Sequence, residues 1–379
     1  MQKVIVLSCS TGQGHNSCAD AIKEYFELHH IDCEVRDSLE FVSQRFATFM
    51  SWGHSFIYQY VPGLFRWGYD YSERHSGAFL QGSMLHKLFS VGMERMYRHL
   101  TTGGFDTVIC THVFSAIMLT QMLKQYSLPV KTAFVATDYT YYPGLNACSL
   151  EQYFIASENL KATYQNCGVP RERITASGIP VRRGFFEHSD PTEAKQKLGI
   201  GVKNKHLLIT CGSMGCGPIE KMLKYLLNKL PEDTEVSVIC GTNRQLYRKL
   251  CRRYGDNPRI HAVGYTKQMP LYLDSADLYL TKPGGISVTE AAAKCLPMVF
   301  VNAVAGCEQY NMDFFMGIGA AVTASTPKEL AECCIGVLRS APKRRNMNQA
   351  LWDYRQQDGA AQIFSELSGG HYVCSNQKS

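Results

Sequence analysis

The segment Thr281-Lys282-Pro283-Gly284-Gly285-Ile286-Ser287-Val288-Thr289-Glu290 runs from a short apolar stretch through a glycine turn into Ala291-Ala292-Ala293. A strand that ends this way at a helix start offers unpaired backbone amides and the positive end of the helix dipole, which suits a diphosphate. Lys282 adds a cation, and Glu290 falls within about two turns of the helix start, where a carboxylate accepts hydrogen bonds from ribose hydroxyls. Pro-Gly-Gly alone also reads as a plain helix-capping turn, so its meaning depends on its company. Gly212-Ser213-Met214-Gly215 follows another apolar run and offers a second set of amides to the same phosphates. After the next run come Thr242 and Asn243, and Gly264-Tyr265 ahead of Met269 gives an edge for a base. Glu308, Gln309 and Asn311 add side chains suited to sugar hydroxyls, although such residues also cap helices.

A second group of residues lies near the start of the chain. Ser8-Cys9-Ser10-Thr11-Gly12-Gln13-Gly14-His15 joins an apolar run to a helical pattern, with Gly12 and Gly14 shaping the turn around a histidine. Imidazole titrates near neutral pH, so His15 suits a general base acting on a hydroxyl. Asp138, in Ala136-Thr137-Asp138-Tyr139, is either the base itself or the group that orients His15; it also fits a turn-forming aspartate. Between Phe41 and Tyr71, eleven of 31 residues are aromatic, including Phe49, Trp52, Phe56, Phe65 and Trp67, with Arg66 among them. Amphipathic rings beside cations suit the headgroup region of an anionic bilayer. The alternative is a helical pair clad in rings within one domain.

These groups need a scaffold. Short β-branched runs alternate with helical stretches, predicting α/β architecture with parallel sheets. The first series is read near Lys3 to Ser8, Cys33 to Asp37, Thr107 to Cys110, Thr132 to Ala136 and Tyr153 to Ala156. The second is read near His206 to Cys211, Glu235 to Cys240, Arg259 to Val263, Leu278 to Leu280 and Met298 to Asn302. The charged stretch Glu187 to Lys205 reads as the linker. Two doubly wound domains are therefore expected, over 1–185 and 186–369, with 370–379 as a flexible tail. Such a pair has a cleft lined by the loops at the carboxyl ends of the strands, where the residues above fall.

Composition narrows the function class. A chain of 379 residues exceeds one core's usual size. Fifteen cysteines lie mostly in apolar runs, which fits reduced, buried thiols in the cytoplasm, and no zinc-type spacing occurs, so no metal site is expected. The start is too short in apolar residues for a signal peptide, and no stretch is long enough to span a bilayer. A net charge of +6 without a basic block argues against nucleic acid and is compatible with an anionic membrane surface. A homodimer is left open.

The order of glycine loop, Gly241-Thr242-Asn243, Gly264-Tyr265-Thr266, Thr281-Lys282-Pro283-Gly284-Gly285 with Glu290, and Gly306-Cys307-Glu308-Gln309-Tyr310-Asn311 resembles the donor domain of the monogalactosyldiacylglycerol synthase and processive diacylglycerol glucosyltransferase family. The resemblance extends over nearly the whole chain. It implies the GT-B fold, two Rossmann-like domains, and inverting, metal-independent transfer of a hexose from a UDP-sugar to diacylglycerol, with no cofactor beyond that co-substrate. It further implies that Gly212 to Gly215 and Lys282 to Gly285 contact the diphosphate, Glu290 the ribose, and Glu308, Gln309 and Asn311 the hexose. In the family the aromatic insertion approaches the membrane, which places the protein peripherally on the inner face of the cell membrane. One departure stands out: a His-Pro pair commonly follows the aspartate, and here Tyr142-Pro143 occupies that place. UDP-glucose and UDP-galactose both remain open as donors, as do other lipid-linked acceptors and a non-catalytic UDP-sugar sensor.

Overall fold

The structure is a computed structural model that describes residues 1–10, 12–61, 63, 84–210, 219–301, 303, 306–354 and 356–369. The chain forms two compact units, Met1–Arg183 with Gln357–Ser379, and Gly184–Gln356.

The first unit is built on a six-stranded sheet of β1 (Lys3–Ser8), β2 (Asp32–Asp37), β3 (Thr107–Cys110), β4 (Lys131–Val135), β5 (Gln152–Ile155) and β6 (Ile174–Ala176). The order is β2-β1-β3-β4-β5-β6 with every pairing parallel. β1, β3 and β4 are buried along almost their whole length, as strands covered by helices on both faces must be, and so read as near-continuous apolar runs. The longer helices are α1 (Gln13–Leu28), α2 (Gln44–Tyr60), α3 (Met84–Gly103) and α4 (Val113–Gln125), followed by the short α5 (Lys161–Asn166). α1 buries Cys18, Ala19, Ala21, Ile22 and Phe26, spaced at about one helical turn, which fixes the face it turns to the core.

The second unit carries β7 (Lys205–Thr210), β8 (Thr234–Ile239), β9 (Ile260–Val263), β10 (Leu278–Thr281), β11 (Met298–Phe300) and β12 (Ala321–Thr323), in the order β12-β11-β10-β7-β8-β9, again all parallel. Its helices are α6 (Pro191–Leu198), α7 (Ile219–Leu227), α8 (Arg244–Tyr254), α9 (Met269–Ser275), α10 (Gly285–Ala293), α11 (Cys307–Gly317), α12 (Pro327–Arg339) and α13 (Ala341–Tyr354). Counted from the unit's own first strand, this is the doubly wound dinucleotide-binding order. In each unit the order reverses beside the first strand: between β1 and β3, and between β7 and β10. The loops at the carboxyl ends of those strands are where such sheets bind ligands.

Two expectations need correction. The charged stretch 187–205 is not a linker, because α6 lies within it and packs on α9. The last helix, α14 (Gly359–Ser368), falls inside the expected second domain 186–369 but belongs to the first unit. It buries Ala360, Ala361, Ile363 and Leu367, and Phe364 meets Phe26 of α1 edge to face with ring centroids 5.3 Å apart. The apolar face, not sequence position, decides where a helix docks. Residues 370–379 lie outside the described residues. No helix among the described residues is long and apolar enough to cross a membrane.

Candidate functional site

In the first unit the polar residues gather at the switch point between β1 and β3. His15 sits in the first turn of α1, half-buried, with Nδ1 2.9 Å from the Thr111 carbonyl at the end of β3. A carbonyl only accepts, so we assign the ring hydrogen to Nδ1, which leaves the Nε2 lone pair as the base in the neutral ring. Burial lowers the His15 pKa below its ordinary value, while the charge of Asp138 and the Thr111 carbonyl pull it back up. The ring is therefore neutral at pH 7, the form a general base needs.

Asp138 lies just after β4 and accepts from the Tyr142 hydroxyl at 3.1 Å. Thr137 Oγ1 is 3.0 Å from His15 Nδ1 and 3.0 Å from the Tyr142 hydroxyl, so His15 and Asp138 belong to one buried network. The sequence reading left Asp138 as either the base or the group that orients His15 and named Tyr142 only as a departure from the family pattern; the structure joins the four residues by hydrogen bonds. The sequence reading also missed His112. That residue caps α4, its Nδ1 accepting from the Phe114 amide at 3.0 Å, and its ring meets His15 edge-on at 4.5 Å. Its place directly after β3, at the reversal of strand order, was the available signal.

Gly12 is the N-cap of α1 in an extended conformation, and apart from its chain neighbours no atom of the described residues lies within 4 Å of where its Cβ would stand. Gly14 is half-buried beside His15.

In the second unit the turn Thr281–Gly285 leaves β10 at its switch point. Gly284 caps α10 with φ −74°, which any residue adopts, and apart from its chain neighbours no atom of the described residues lies within 4 Å of a Cβ built there. Neither backbone strain nor the packing of the described residues demands glycine. The turn is braced from behind. Asn311, fully buried on α11, donates from Nδ2 to the Pro283 carbonyl at 2.9 Å. Lys282 Nζ stands 3.2 Å from Glu308 Oε1, both side chains largely buried. Along α10 the half-exposed positions are Ile286, Ser287 and Glu290, and with Gly284 the last two share one face.

The remaining residues expected at the donor site are more dispersed. Asn243 accepts from the Leu246 amide at 2.9 Å and thereby caps α8, with Thr242 exposed beside it. Gly264 and Met269 are half-buried, and Tyr265 is 69% exposed. Gln309 is exposed and donates to Asp313 at 2.8 Å. Gly212, Ser213, Met214 and Gly215 lie outside the described residues, as do Phe65, Arg66 and Trp67. Phe49, Trp52 and Phe56 are 64%, 62% and 43% exposed on α2, with Trp52 and Phe56 stacked at 5.3 Å. With exposed Arg45 they follow turn-by-turn spacing, forming a stripe of rings with a cation at one end.

Comparison with known proteins agrees with this geometry. Residues 15–181 match the family model of monogalactosyldiacylglycerol (MGDG) synthase, and residues 213–351 that of glycosyl transferases group 1. A processive diacylglycerol beta-glucosyltransferase of Staphylococcus epidermidis is 29% identical over 241 residues, 63% of this chain and 60% of that protein. The chain thus aligns with less than two thirds of that relative's length. The Staphylococcus saprophyticus protein of the same name is 24% identical over 357 residues, 92% of this chain and 88% of that one.

Among solved structures, the S. aureus MnaA–UDP complex superposes with a TM-score of 0.64 at 12% identity, covering 97% of this chain and 96% of that one. Acinetobacter baumannii MurG gives 0.61 at 15% identity, covering 97% and 99%. A UDP-N-acetylglucosamine 2-epimerase gives 0.61 at 14%, covering 100% and 98%. Likeness at such identity is one of fold, and an epimerase among these neighbours means that the fold alone does not choose the chemistry. With a parallel six-stranded sheet in each unit, and family-model matches along both halves, the chain is similar to monogalactosyldiacylglycerol synthases over 15–181 and to glycosyl transferases of group 1 over 213–351, within a fold shared with GT-B glycosyltransferases.

Proposed function

We propose that the protein is an inverting glycosyltransferase that moves a hexose from UDP-glucose or UDP-galactose to diacylglycerol, making a membrane glycolipid. The observation that carries the reading is His15: a neutral imidazole whose Nδ1–H is held on that nitrogen by the Thr111 carbonyl and shared with the Thr137 hydroxyl, with Nε2 left to take a proton. In the reaction the acceptor hydroxyl loses its proton to Nε2 as its oxygen bonds to the anomeric carbon from the face opposite UDP. The bond from that carbon to the diphosphate oxygen breaks, and the negative charge on the departing diphosphate is met by the amides at the start of α10 and by Lys282. That arrangement calls for no metal cofactor. Glu290 serves the ribose, and Glu308 the hexose, where its charge also holds Lys282 in place. Asn311 acts through the Pro283 carbonyl by holding the turn in shape.

The lipid acceptor follows from two supports. The relatives named above are processive diacylglycerol beta-glucosyltransferases, and α2 presents Phe49, Trp52 and Phe56 to solvent beside Arg45. Rings and a cation on one helical face suit peripheral attachment to an anionic inner leaflet.

The test is a donor panel of UDP-glucose, UDP-galactose and UDP-N-acetylglucosamine with diacylglycerol in mixed micelles, followed by UDP release and the anomeric configuration of the product. A β-hexosyl diacylglycerol is expected, with turnover lost in His15→Ala. Donor cleavage that does not respond to diacylglycerol, or full turnover in His15→Ala, overturns the proposal.

A further inference from the structure

The groups behind His15 allow donor and acceptor roles to be counted atom by atom. Thr111 O only accepts, so His15 keeps its hydrogen on Nδ1, and that N–H also faces Thr137 Oγ1 at 3.0 Å. The Asp138 carboxylate only accepts, so the single hydrogen of the Tyr142 hydroxyl is directed to Oδ2 at 3.1 Å. The Tyr142 oxygen then accepts from the Thr137 backbone amide at 2.8 Å and has Thr137 Oγ1 at 3.0 Å. With the tyrosine hydrogen committed, the Thr137 hydroxyl has two acceptors for its own hydrogen, the Tyr142 oxygen at 3.0 Å and Asp138 Oδ2 itself at 3.4 Å. The directions join His15 to Asp138: His15 Nδ1–H faces the Thr137 hydroxyl, and Thr137 reaches the carboxylate through the Tyr142 hydroxyl and by its own longer contact. Thr137 and Tyr142 are 3% and 7% exposed, so bulk water does not stand in for either.

Hydrogen bonds in series polarise one another, and more so in a buried setting. A carboxylate at one end of such a chain favours positive charge at the other. We infer that Thr137 and Tyr142 are positioning residues that transmit the influence of Asp138 to His15, stabilising the charge the imidazole acquires on taking the acceptor's proton. The inference rests on the reading of His15 as the base. No proton travels along the chain: Nε2 gains the acceptor's hydrogen, Nδ1 keeps its own, and Asp138 stays ionised. This extends the search for functional residues to two hydroxyls that touch no substrate.

Other titratable groups surround the pair. His112 meets the His15 ring from the start of α4, with Nδ1 engaged by the Phe114 amide. Cys18 on α1 and Tyr164 on α5 both sense the charge of Asp138. None of these is altered by the substitutions below. Tyr142→Phe keeps the ring that packs edge-on against Phe134 at 5.7 Å, and removes only the hydroxyl.

The experiment follows the His15 Cε1–H resonance by NMR across pH, assigned by its loss in His15→Gln, in the full chain and in Tyr142→Phe, Thr137→Val and Thr137→Ser. In Tyr142→Phe and Thr137→Val the His15 pKa is expected to fall by about half a unit or more. The acid limb of kcat/KM then moves to lower pH, and kcat on its plateau drops by about tenfold with the donor KM within about twofold. Thr137→Ser, which restores the hydroxyl, is expected to behave as the unsubstituted chain. Unmoved titration in both Tyr142→Phe and Thr137→Val overturns the inference, as does a serine variant as impaired as the valine one. The titration needs no substrate, so it reads the relay even where the donor panel fails to find a glycolipid product.

Discussion

At the scale of single residues, Gly284 separates fold from function. Among the described residues no atom beyond its chain neighbours claims the space beside it, so Gly284→Asp gains an N-cap and a favourable charge at a helix start. Thermal unfolding should show stability unchanged or raised by up to about 1 kcal/mol. UDP binding, measured by calorimetry, should weaken at least tenfold, because the carboxylate repels a diphosphate and fills its approach; undiminished affinity would place the nucleotide elsewhere.

His206 gives a second residue-scale expectation. It is wholly buried on β7, between Ser275 Oγ and Ser237 Oγ at 2.9 Å each, and its pKa is lowered to about 4, chiefly by burial and then by the Lys195 charge. The unfolded chain takes up this proton first, near the ordinary 6.5, and the folded chain only near 4, so stability falls as pH drops through that window. The loss is about 3 kcal/mol by pH 4, read from urea unfolding at several pH values, and His206→Asn should flatten the slope. The turn at Lys282 and the glycine turn that carries His15 were legible because glycine punctuation is local. The hydrogen bonds that join Thr137 and Tyr142 to His15, and the contact of His112 with its ring, were not, because they come from loops meeting at one end of the sheet.

Elements show the same division. The first five strands of each sheet were legible from their sequence, whereas β6 and β12 are three-residue edge strands with one buried residue each and carry too little pattern; β11 is as short but is buried throughout. α6 was missed for a different reason. It buries little apolar surface, and its signals are its ends: Asp190 accepting from the Thr192 and Glu193 amides, Pro191 in the first turn, and Gly199 at φ +71°. Beyond it, Lys294 closes the second unit's helices with an almost fully buried ion pair to Asp274 at 2.8 Å and a bond to the Glu187 carbonyl. Lys294→Ala should cost about 3–5 kcal/mol, because the buried Asp274 carboxylate loses its cation and keeps, among the described residues, only the Ser189 amide and the exposed His188 beside it. Replacing both by leucine should cost less than that, and a double-mutant cycle by denaturant unfolding measures the difference. On α2, Trp52→Glu with Phe56→Glu should abolish co-sedimentation with anionic vesicles and leave turnover of short-chain acceptor in solution intact; persistent binding would remove this helix from the membrane face.

At the scale of the whole molecule, α14 completes the first unit from the far end of the chain. Its first residue, Gly359, approaches the segment after β6 so closely that a Cβ would stand 2.6 Å from the Gly178 carbonyl and 2.8 Å from the Pro180 nitrogen. These are backbone atoms that cannot swing aside, so Gly359→Ala should destabilise the chain by about 1–3 kcal/mol in thermal unfolding. The sequence reading had no means to see this docking, because a contact across nearly two hundred residues leaves no local periodicity. Lys131, donating to the Leu367 carbonyl at 2.9 Å, ties the same helix to β4. The order of synthesis gives that docking a further consequence. The second unit, 184–356, is continuous in sequence and leaves the ribosome whole, while the first unit waits, short of a helix, until everything inserted within it has been made. Phe26 and its neighbours on α1 stay uncovered throughout that interval, so the nascent chain offers a binding site for a holding chaperone that the finished protein lacks.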